Sequence, residues 1–146
     1  NVSFVKHYFP EGDIIAFIPN QELLTVESRE VLPESFSYRD AVEASAIANV
    51  MIAALIQGNL LLAAKMMQED RWHERYRQKC VPHLSPILQI CKDQESYGCF
   101  LRGAGPTVLS LSPDEKTATV MQSLKNLDAT ARIEQLTIDR EGIQVL

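Results

Sequence analysis

The segment Gly103–Thr107, Gly-Ala-Gly-Pro-Thr, is the sharpest local feature of this sequence. Two glycines within three residues let the backbone turn with positive φ and approach another group closely. Arg102 precedes the segment and adds a positive charge. Such a loop is typical either of a tight turn between strands or of an anion-binding site, and the motif alone favours the turn.

A hydroxyl and a guanidinium stand four residues apart earlier in the chain, at Thr25 and Arg29. If the surrounding segment is helical, the two side chains share one face and can meet the same ligand. A hydroxyl donor beside a planar guanidinium suits a carboxylate or a phosphate. The alternative is an exposed turn with Glu27 and Glu30 as neighbours, and these residues alone favour that alternative.

The segment Asp70–Lys79 interleaves basic and aromatic side chains, which is the mixture that binds single-stranded nucleic acids. Acidic residues dilute this patch, and the whole chain has a formal net charge of -5. We therefore expect a solvated surface here, and neither nucleic acid nor an anionic membrane as a partner. His73 is expected to be hydrogen-bonded or exposed, because no Ser or Cys arrangement places it in a catalytic triad.

The composition is that of one ordinary acidic domain. Of the 146 residues, 46% are hydrophobic and 23% are charged, close to the globular average. The spacings of Cys80, Cys91 and Cys99 match no zinc pattern, so we expect free thiols, no metal site and a reducing, cytoplasmic compartment. The longest apolar stretch, residues 50–56, is too short to cross a bilayer, which takes about 20 residues. The chain begins with Asn1, and we expect it to start within a longer protein.

The first half of the chain is predicted to form a hairpin followed by helices. The β-type runs Val2–Phe9 and Asp13–Ile18 flank a Pro-x-Gly turn. Leu23–Val31 is predicted to form one or two helical turns. Ser37 then begins a long helix that runs to about Gln57, and its apolar residues on nearly every face predict burial against a sheet.

The second half mixes further helices with strands. Asn59 is expected to cap a helix over Leu60–Gln68, and Ser85-Pro86 to begin another that ends before Gly98. Cys99–Arg102 and Thr107–Leu111 are predicted strands on either side of the glycine loop. A capping box at Ser112 predicts a helix with Val120, Met121, Leu124 and Leu127 on one face, and Ala131–Ile138 with Ile143–Leu146 predicts a second hairpin. This order favours an α+β fold, an antiparallel sheet with helices packed on one face.

Taken in order, five pieces of the sequence resemble the C-terminal half of the homoserine kinases, a family within the galacto-, homoserine, mevalonate and phosphomevalonate kinase superfamily. The resemblance covers nearly the whole chain, and each piece is weak alone. The pieces are Ile18–Asn20, Thr25–Pro33, Asp40–Val42, Asp70–Arg77 and Gly103–Thr107.

The resemblance implies a ferredoxin-like two-layer sandwich, with residues 1–146 as the substrate-side domain. It also implies a reaction, the transfer of the γ-phosphoryl group of ATP to the hydroxyl of L-homoserine on the route to threonine. Arg29 and Arg77 resemble the arginines that hold the substrate carboxylate, and Thr25 resembles a catalytic threonine near the transferred phosphoryl group. The glycine loop resembles the third motif of the superfamily, with Gly103, Ala104, Gly105 and Thr107 as its residues.

The resemblance further implies partners that lie outside these residues. ATP and Mg²⁺ would be bound mainly by an N-terminal half, whose Gly- and Ser-rich nucleotide loop has no counterpart here. We therefore expect the chain alone to be inactive, and the whole enzyme to be a cytoplasmic homodimer. Two alternatives remain open at this point: a non-catalytic regulatory module that binds an amino acid, and a sister kinase of the superfamily with another alcohol as substrate.

Overall fold

The computed structural model describes Ser3 and residues 7–142. It contains four strands, six α-helices and one 3₁₀ turn among those residues. In chain order the elements are β1 (Asp13–Ile18), α1 (Thr25–Glu30), α2 (Tyr38–Ile56), α3 (Leu60–Gln68), α4 (Glu74–Arg77), the 3₁₀ turn (Gln78–Cys80), α5 (Leu84–Asp93), β2 (Gly98–Leu101), β3 (Val108–Ser112), α6 (Asp114–Leu127) and β4 (Arg132–Leu136).

The four strands form one sheet in the order β2-β3-β1-β4, and every neighbouring pair is antiparallel. Ile15 pairs with Ser110 of β3 on one side and with Gln135 of β4 on the other, so β1 lies inside the sheet. Strand β2 lies at an edge. This strand order, with helices between β1 and β2 and between β3 and β4, confirms the predicted ferredoxin-like α+β fold.

The main core lies between the sheet and the helices α5 and α6. Alternate residues of a strand point to opposite faces, so Ile15 and Phe17 of β1 reach the same side. Both are fully buried. They pack in one cluster with residues of α5 and α6, among them Leu84, Ile87 and Leu124. The predicted apolar face of α6 is confirmed at Val120 and Leu124, which are buried, whereas Leu127 remains 38% exposed.

The opposite face of the sheet has a smaller cluster that the sequence did not predict. Leu111 of β3 is buried there with Leu60 and Ala64 of α3, and Ile14 and Phe100 pack against them. The predicted start of α3 is confirmed, because the Asn59 side chain accepts a hydrogen bond from the backbone N–H of Leu62 at 3.0 Å.

Helix α2 begins where predicted, because Ser37 Oγ accepts a hydrogen bond from the Asp40 backbone N–H at 3.1 Å. Its predicted burial against the sheet is wrong. Ala44 and Ala54 are the buried residues among 38–56, while Val50 and Ile52 are 43% and 50% exposed. The helix packs on α3 along one side. Sequence periodicity identifies an apolar helix, but it does not say which element covers it.

Several local predictions are corrected by the structure. Helix α5 begins at Leu84, so Ser85 lies inside the helix and not at its N-cap. No side-chain cap forms at α6, because Pro113, which has no polar side-chain atom, occupies the N-cap position; the Ser112 hydroxyl donates to the Pro113 carbonyl at 3.2 Å. Residues 7–9 are not a strand, and the remainder of the first predicted strand, apart from Ser3, lies outside the described residues. Ile143–Leu146 also lies outside them.

Among the helices that the structure describes, none has both the length and the apolar character needed to cross a membrane. All three cysteines are free thiols, as predicted. Within residue 3 and residues 7–142, no group of three or more His, Cys, Asp or Glu side chains is arranged to hold a metal ion.

Candidate functional site

Arg77 connects two of the regions that the sequence singled out. It lies in the last turn of α4 and its side chain is buried, with 9% of the residue exposed. Its Nε donates to the backbone carbonyl of Ser28 in α1 at 3.2 Å, and its Nη1 donates to the carbonyl of Gly103 at 2.9 Å. One guanidinium therefore holds α1 and the glycine loop in a fixed relation, which the planar fork does better than a lysine.

A second hydrogen bond joins α1 to the same loop. The hydroxyl of Ser28, which is fully buried, donates to the backbone carbonyl of Ala104 at 2.7 Å. Sequence reasoning missed Ser28, because a serine between Glu27 and Arg29 in a short helix carries no pattern of its own. With Arg77, it pairs two successive carbonyls of the loop.

The glycine loop joins the edge strand β2 to β3, as predicted. Gly103 and Gly105 have φ values of +57° and +82°, a region that side chains other than glycine rarely adopt. A Cβ atom at Gly105 would also approach the Val81 side chain to 3.2 Å. The Arg102 N–H donates to the Thr107 carbonyl at 3.0 Å, which closes the turn. The loop is therefore a tight turn between two strands. Its fixed position beside α1 is also compatible with the second interpretation of the motif, an anion-binding site.

Thr25 and Arg29 lie at the two ends of α1 and are exposed. Neither side chain has a hydrogen bond or ion pair with the residues that the structure describes. The buried Ser28 fixes the inner side of the helix, so the two exposed groups are presented on a held element and remain available to a ligand. The structure thus brings Arg77 into direct contact with Gly103 and with α1, and it joins α1 to Ala104 through Ser28.

Glu74 is a second inward-facing charged residue of α4. It is 7% exposed, and its Oε2 accepts a hydrogen bond from the backbone N–H of Leu101 at 2.7 Å. Burial raises the pKa of Glu74 to about 7; the hydrogen bond from Leu101 opposes that rise and the charge of Asp70 adds to it. The solvated surface expected for Asp70–Lys79 is therefore wrong at Glu74 and Arg77, which a plain count of charges could not reveal.

Asp70 fixes the start of this short helix. Its Oδ2 accepts hydrogen bonds from the backbone N–H groups of His73 and Glu74, at 2.8 and 2.7 Å. His73 Nδ1 is buried and has no hydrogen-bond partner in the described part of the chain. No sequence pattern indicates this unpaired nitrogen, since a hydrogen-bonded or exposed ring is the expectation for His73.

The arrangement presents groups beside the glycine loop whose chemistry suits an anion. Arg29 offers a full guanidinium on the exposed side. Two of the Arg77 nitrogens donate to backbone carbonyls, which leaves Nη2 as the nitrogen without a hydrogen bond to the described residues. A guanidinium recognises a planar carboxylate well, and the Thr25 hydroxyl adds a donor or acceptor nearby on the same helix.

The family described as GHMP kinases C terminal matches residues 51–126, just over half of the chain. A homoserine kinase from Enterococcus faecalis is 55% identical over 144 residues, which are 99% of this chain and 50% of that protein. A homoserine kinase from Listeria innocua is 47% identical over 97% of this chain and 49% of that protein. The chain thus spans about half the length of the curated relatives it matches.

Among solved structures, a proposed homoserine kinase from Listeria monocytogenes superposes with a TM-score of 0.77 and 39% identity, over 92% of this chain and 44% of that one. A homoserine kinase from Cytophaga hutchinsonii superposes with a TM-score of 0.81 over the same shares, and at 24% identity it supports the fold alone. The family match includes Arg77 and the glycine loop, and the resemblance expected from the sequence is confirmed. This chain belongs to the GHMP kinase C-terminal family.

Proposed function

We propose that this chain is the substrate-side half of a kinase that transfers the γ-phosphoryl group of ATP to the hydroxyl of L-homoserine. The observation that carries the proposal is the pair of Arg77 hydrogen bonds, which join the helix bearing Thr25 and Arg29 to the glycine loop. Four features chosen from the sequence thereby form one local unit. The names of the relatives, at up to 55% identity over nearly the whole chain, support homoserine as the substrate.

Each residue has a proposed part in holding the substrate. Arg29 binds the α-carboxylate through its exposed guanidinium. Arg77 contributes its remaining Nη2 to the same carboxylate and positions the loop with its other nitrogens. The Thr25 hydroxyl lies near the transferred phosphoryl group, and Gly103, Ala104, Gly105 and Thr107 shape the wall of the substrate site.

In the reaction the homoserine hydroxyl oxygen forms a bond to the γ-phosphorus, while the bond from that phosphorus to the bridging oxygen of ADP breaks. The hydroxyl proton is released. Such a transfer is mostly positioning and charge neutralisation, so a clamp on the substrate is a large part of what a protein must supply. In this proposal ATP and Mg²⁺ bind mainly to the half that lies outside these residues. The protein is proposed to be located in the cytoplasm. Assembly as a homodimer also remains a proposal.

The test is a coupled ADP-release assay on the intact protein with ATP, Mg²⁺ and each of homoserine, mevalonate and galactose. We expect turnover with homoserine and a rate near background with the other two alcohols. Turnover with another alcohol and not with homoserine would identify a sister kinase. Absence of turnover with all three, in a folded protein that binds an amino acid, would favour the regulatory module.

The same assay on residues 1–146 tests the proposal that nucleotide binding belongs to the other half of the protein. We expect no turnover from this portion, since the nucleotide-binding loop is assigned to the other half. A rate close to that of the intact protein would contradict that assignment while leaving the substrate proposal unaffected.

A further inference from the structure

One side of α2 and the start of α3 have an unusual surface. From Ala44 to Ala64 the sequence contains no Asp, Glu, Lys or Arg. Solvated surfaces of small domains usually carry about a quarter to a third charged residues. Despite this, Ile52 and Ile56 of α2 are 50% and 53% exposed, and Leu61 at the start of α3 is 63% exposed.

The exposed residues of α2 recur every three or four positions, so they form one continuous strip along the helix. We call this strip the α2 stripe. Arg39 and Glu43 pair with each other at its N-terminal end, and no charge follows along the helix. The exposed positions that define the α2 stripe are Val42, Ser45, Ala46, Asn49, Val50, Ile52, Ala53 and Ile56.

A pocket of about 420 Å³ opens on the flank of the same helix. Ala48 and Met51 of α2, Met66 of α3 and Phe100 of β2 contribute apolar walls. His73 also lines it, and its Nδ1 is the buried nitrogen without a partner in the described residues. Buried polar atoms in native proteins nearly always have a hydrogen-bond partner. A contiguous exposed apolar surface of this kind marks a site where another polypeptide segment packs.

We infer that the α2 stripe and this pocket are the surface on which the remaining half of the polypeptide packs. The chain spans 50% of the Enterococcus faecalis relative, so a segment of about equal size is outside these residues. A covalently attached segment has a high effective concentration at this surface. This covalent link favours the remaining half over a second copy, which would reach the surface only at its own concentration in solution. The inference rests on the proposed function only in taking the chain as part of a longer protein.

The experiment compares two exposed aliphatic positions in the intact protein. Ile52→Cys replaces a residue of the α2 stripe, and Leu127→Cys replaces a residue at the end of α6 that is 38% exposed in this structure. Each variant is reacted with a maleimide, and the modified peptide is identified by mass spectrometry, so that the native thiols are counted separately. We expect the Ile52→Cys position to react at least about tenfold more slowly than the Leu127→Cys position, because only an opening of the covering half exposes it.

Attachment of a maleimide-benzophenone to Ile52→Cys after brief opening, followed by irradiation, identifies the occupant. We expect cross-linked peptides from outside the 146 residues at the mass of a single polypeptide on a denaturing gel. Equal labelling rates at both positions would overturn the inference. A cross-linked species of twice the mass, with a labelling rate that rises on dilution, would also overturn it and would identify a second copy. Neither readout depends on kinase activity, so a failure here is distinguishable from a failure of the proposed function.

Discussion

The short helices α4 and α1 both contact the glycine loop, but the charged side chains of α4 that face the loop side are buried whereas those of α1 are exposed. Helix α4 turns Glu74 and Arg77 inward, where both are buried. Helix α1 buries only Ser28 and leaves Thr25 and Arg29 exposed. Buried charges with backbone partners fix geometry, whereas exposed groups on a fixed helix remain available for a ligand. The two arginines predicted to share one role therefore differ in how much of that role is positioning.

Replacement of Arg77 should have the largest effect. Arg77→Ala leaves the carbonyls of Ser28 and Gly103 without their donor and should lower the free energy of unfolding by about 3 kcal/mol. In the intact protein it should raise the KM for homoserine much more than the KM for ATP. Denaturant unfolding and steady-state kinetics with both substrates measure these changes.

Arg77→Lys is the matched control, since it keeps the charge but lacks the planar fork whose two nitrogens reach the two carbonyls. It should recover only part of the stability and of the homoserine affinity. Equal increases in the two KM values for Arg77→Ala would contradict a specific role at the carboxylate, and an unchanged stability would contradict the positioning role.

The pH dependence of stability tests the burial of Glu74 on the inward side of α4. Its pKa is raised to about 7 in the folded protein, against 4.5 ordinarily, so folding favours the protonated carboxyl. This contribution to stability is complete below pH 4.5 and is lost as the pH rises through 7. A shift of this size corresponds to about 3 kcal/mol between those limits. Glu74→Gln keeps an acceptor for the Leu101 N–H without the titration, so its stability should exceed that of the parent more at pH 8 than at pH 5.

Urea unfolding at both pH values gives the free energies of unfolding. The difference between the Glu74→Gln variant and the parent at each pH removes the effect of the other carboxyl groups. Glu69→Gln, at an exposed position in the same segment, is the control and should show little pH-dependent difference. A Glu74→Gln difference that is the same at pH 5 and pH 8 would mean that the buried carboxyl does not titrate in this range.

Replacement of Arg29 tests whether the exposed side of α1 binds the substrate. Because it is exposed and unpaired among the described residues, Arg29→Ala should change the free energy of unfolding by no more than about 0.5 kcal/mol. If it binds the carboxylate, the KM for homoserine in the intact protein should rise by roughly 10- to 100-fold, the range expected for losing a charged hydrogen bond. Arg102→Ala removes another exposed guanidinium beside the loop and should have a much smaller effect. Similar KM values for the two variants would remove Arg29 from the substrate site.

Much of the fold could be predicted from the sequence, because turn residues and apolar periodicity act locally. The start of α3 follows from Asn59, and the strands on either side of the glycine loop follow from Gly103 and Gly105. The exposure of α2 could not be predicted, since an apolar helix has the same pattern whether its cover belongs to the same domain or to another segment. That difference depends on which surfaces meet in three dimensions.

The residue types of the candidate site could be predicted from the sequence, but the burial and hydrogen-bond partners of those residues could not. Thr25, Arg29 and Arg77 carry recognisable chemistry, but it is the resemblance to the homoserine kinases, and not their spacing, that assigns them to a ligand. The burial of Glu74 and Arg77 was not evident, because charged residues in a polar segment are usually solvated. Their burial follows from backbone groups of β2 and the glycine loop that only the folded chain brings beside α4.

Ser28 provides the smallest of the expected effects on the KM for homoserine, and it tests how far the position of α1 depends on a residue of α1 itself. Ser28→Ala removes the hydrogen bond to the Ala104 carbonyl but leaves both Arg77 hydrogen bonds in place. It should lower the free energy of unfolding by about 1 to 2 kcal/mol, the cost of leaving a part-buried carbonyl without its donor, and raise the KM for homoserine only a few-fold. Ser35→Ala, at an exposed position, is the control and should be close to neutral. A KM change as large as that of Arg29→Ala would show that α1 depends on Ser28 for its placement, and that Arg77 alone does not hold the helix against the loop.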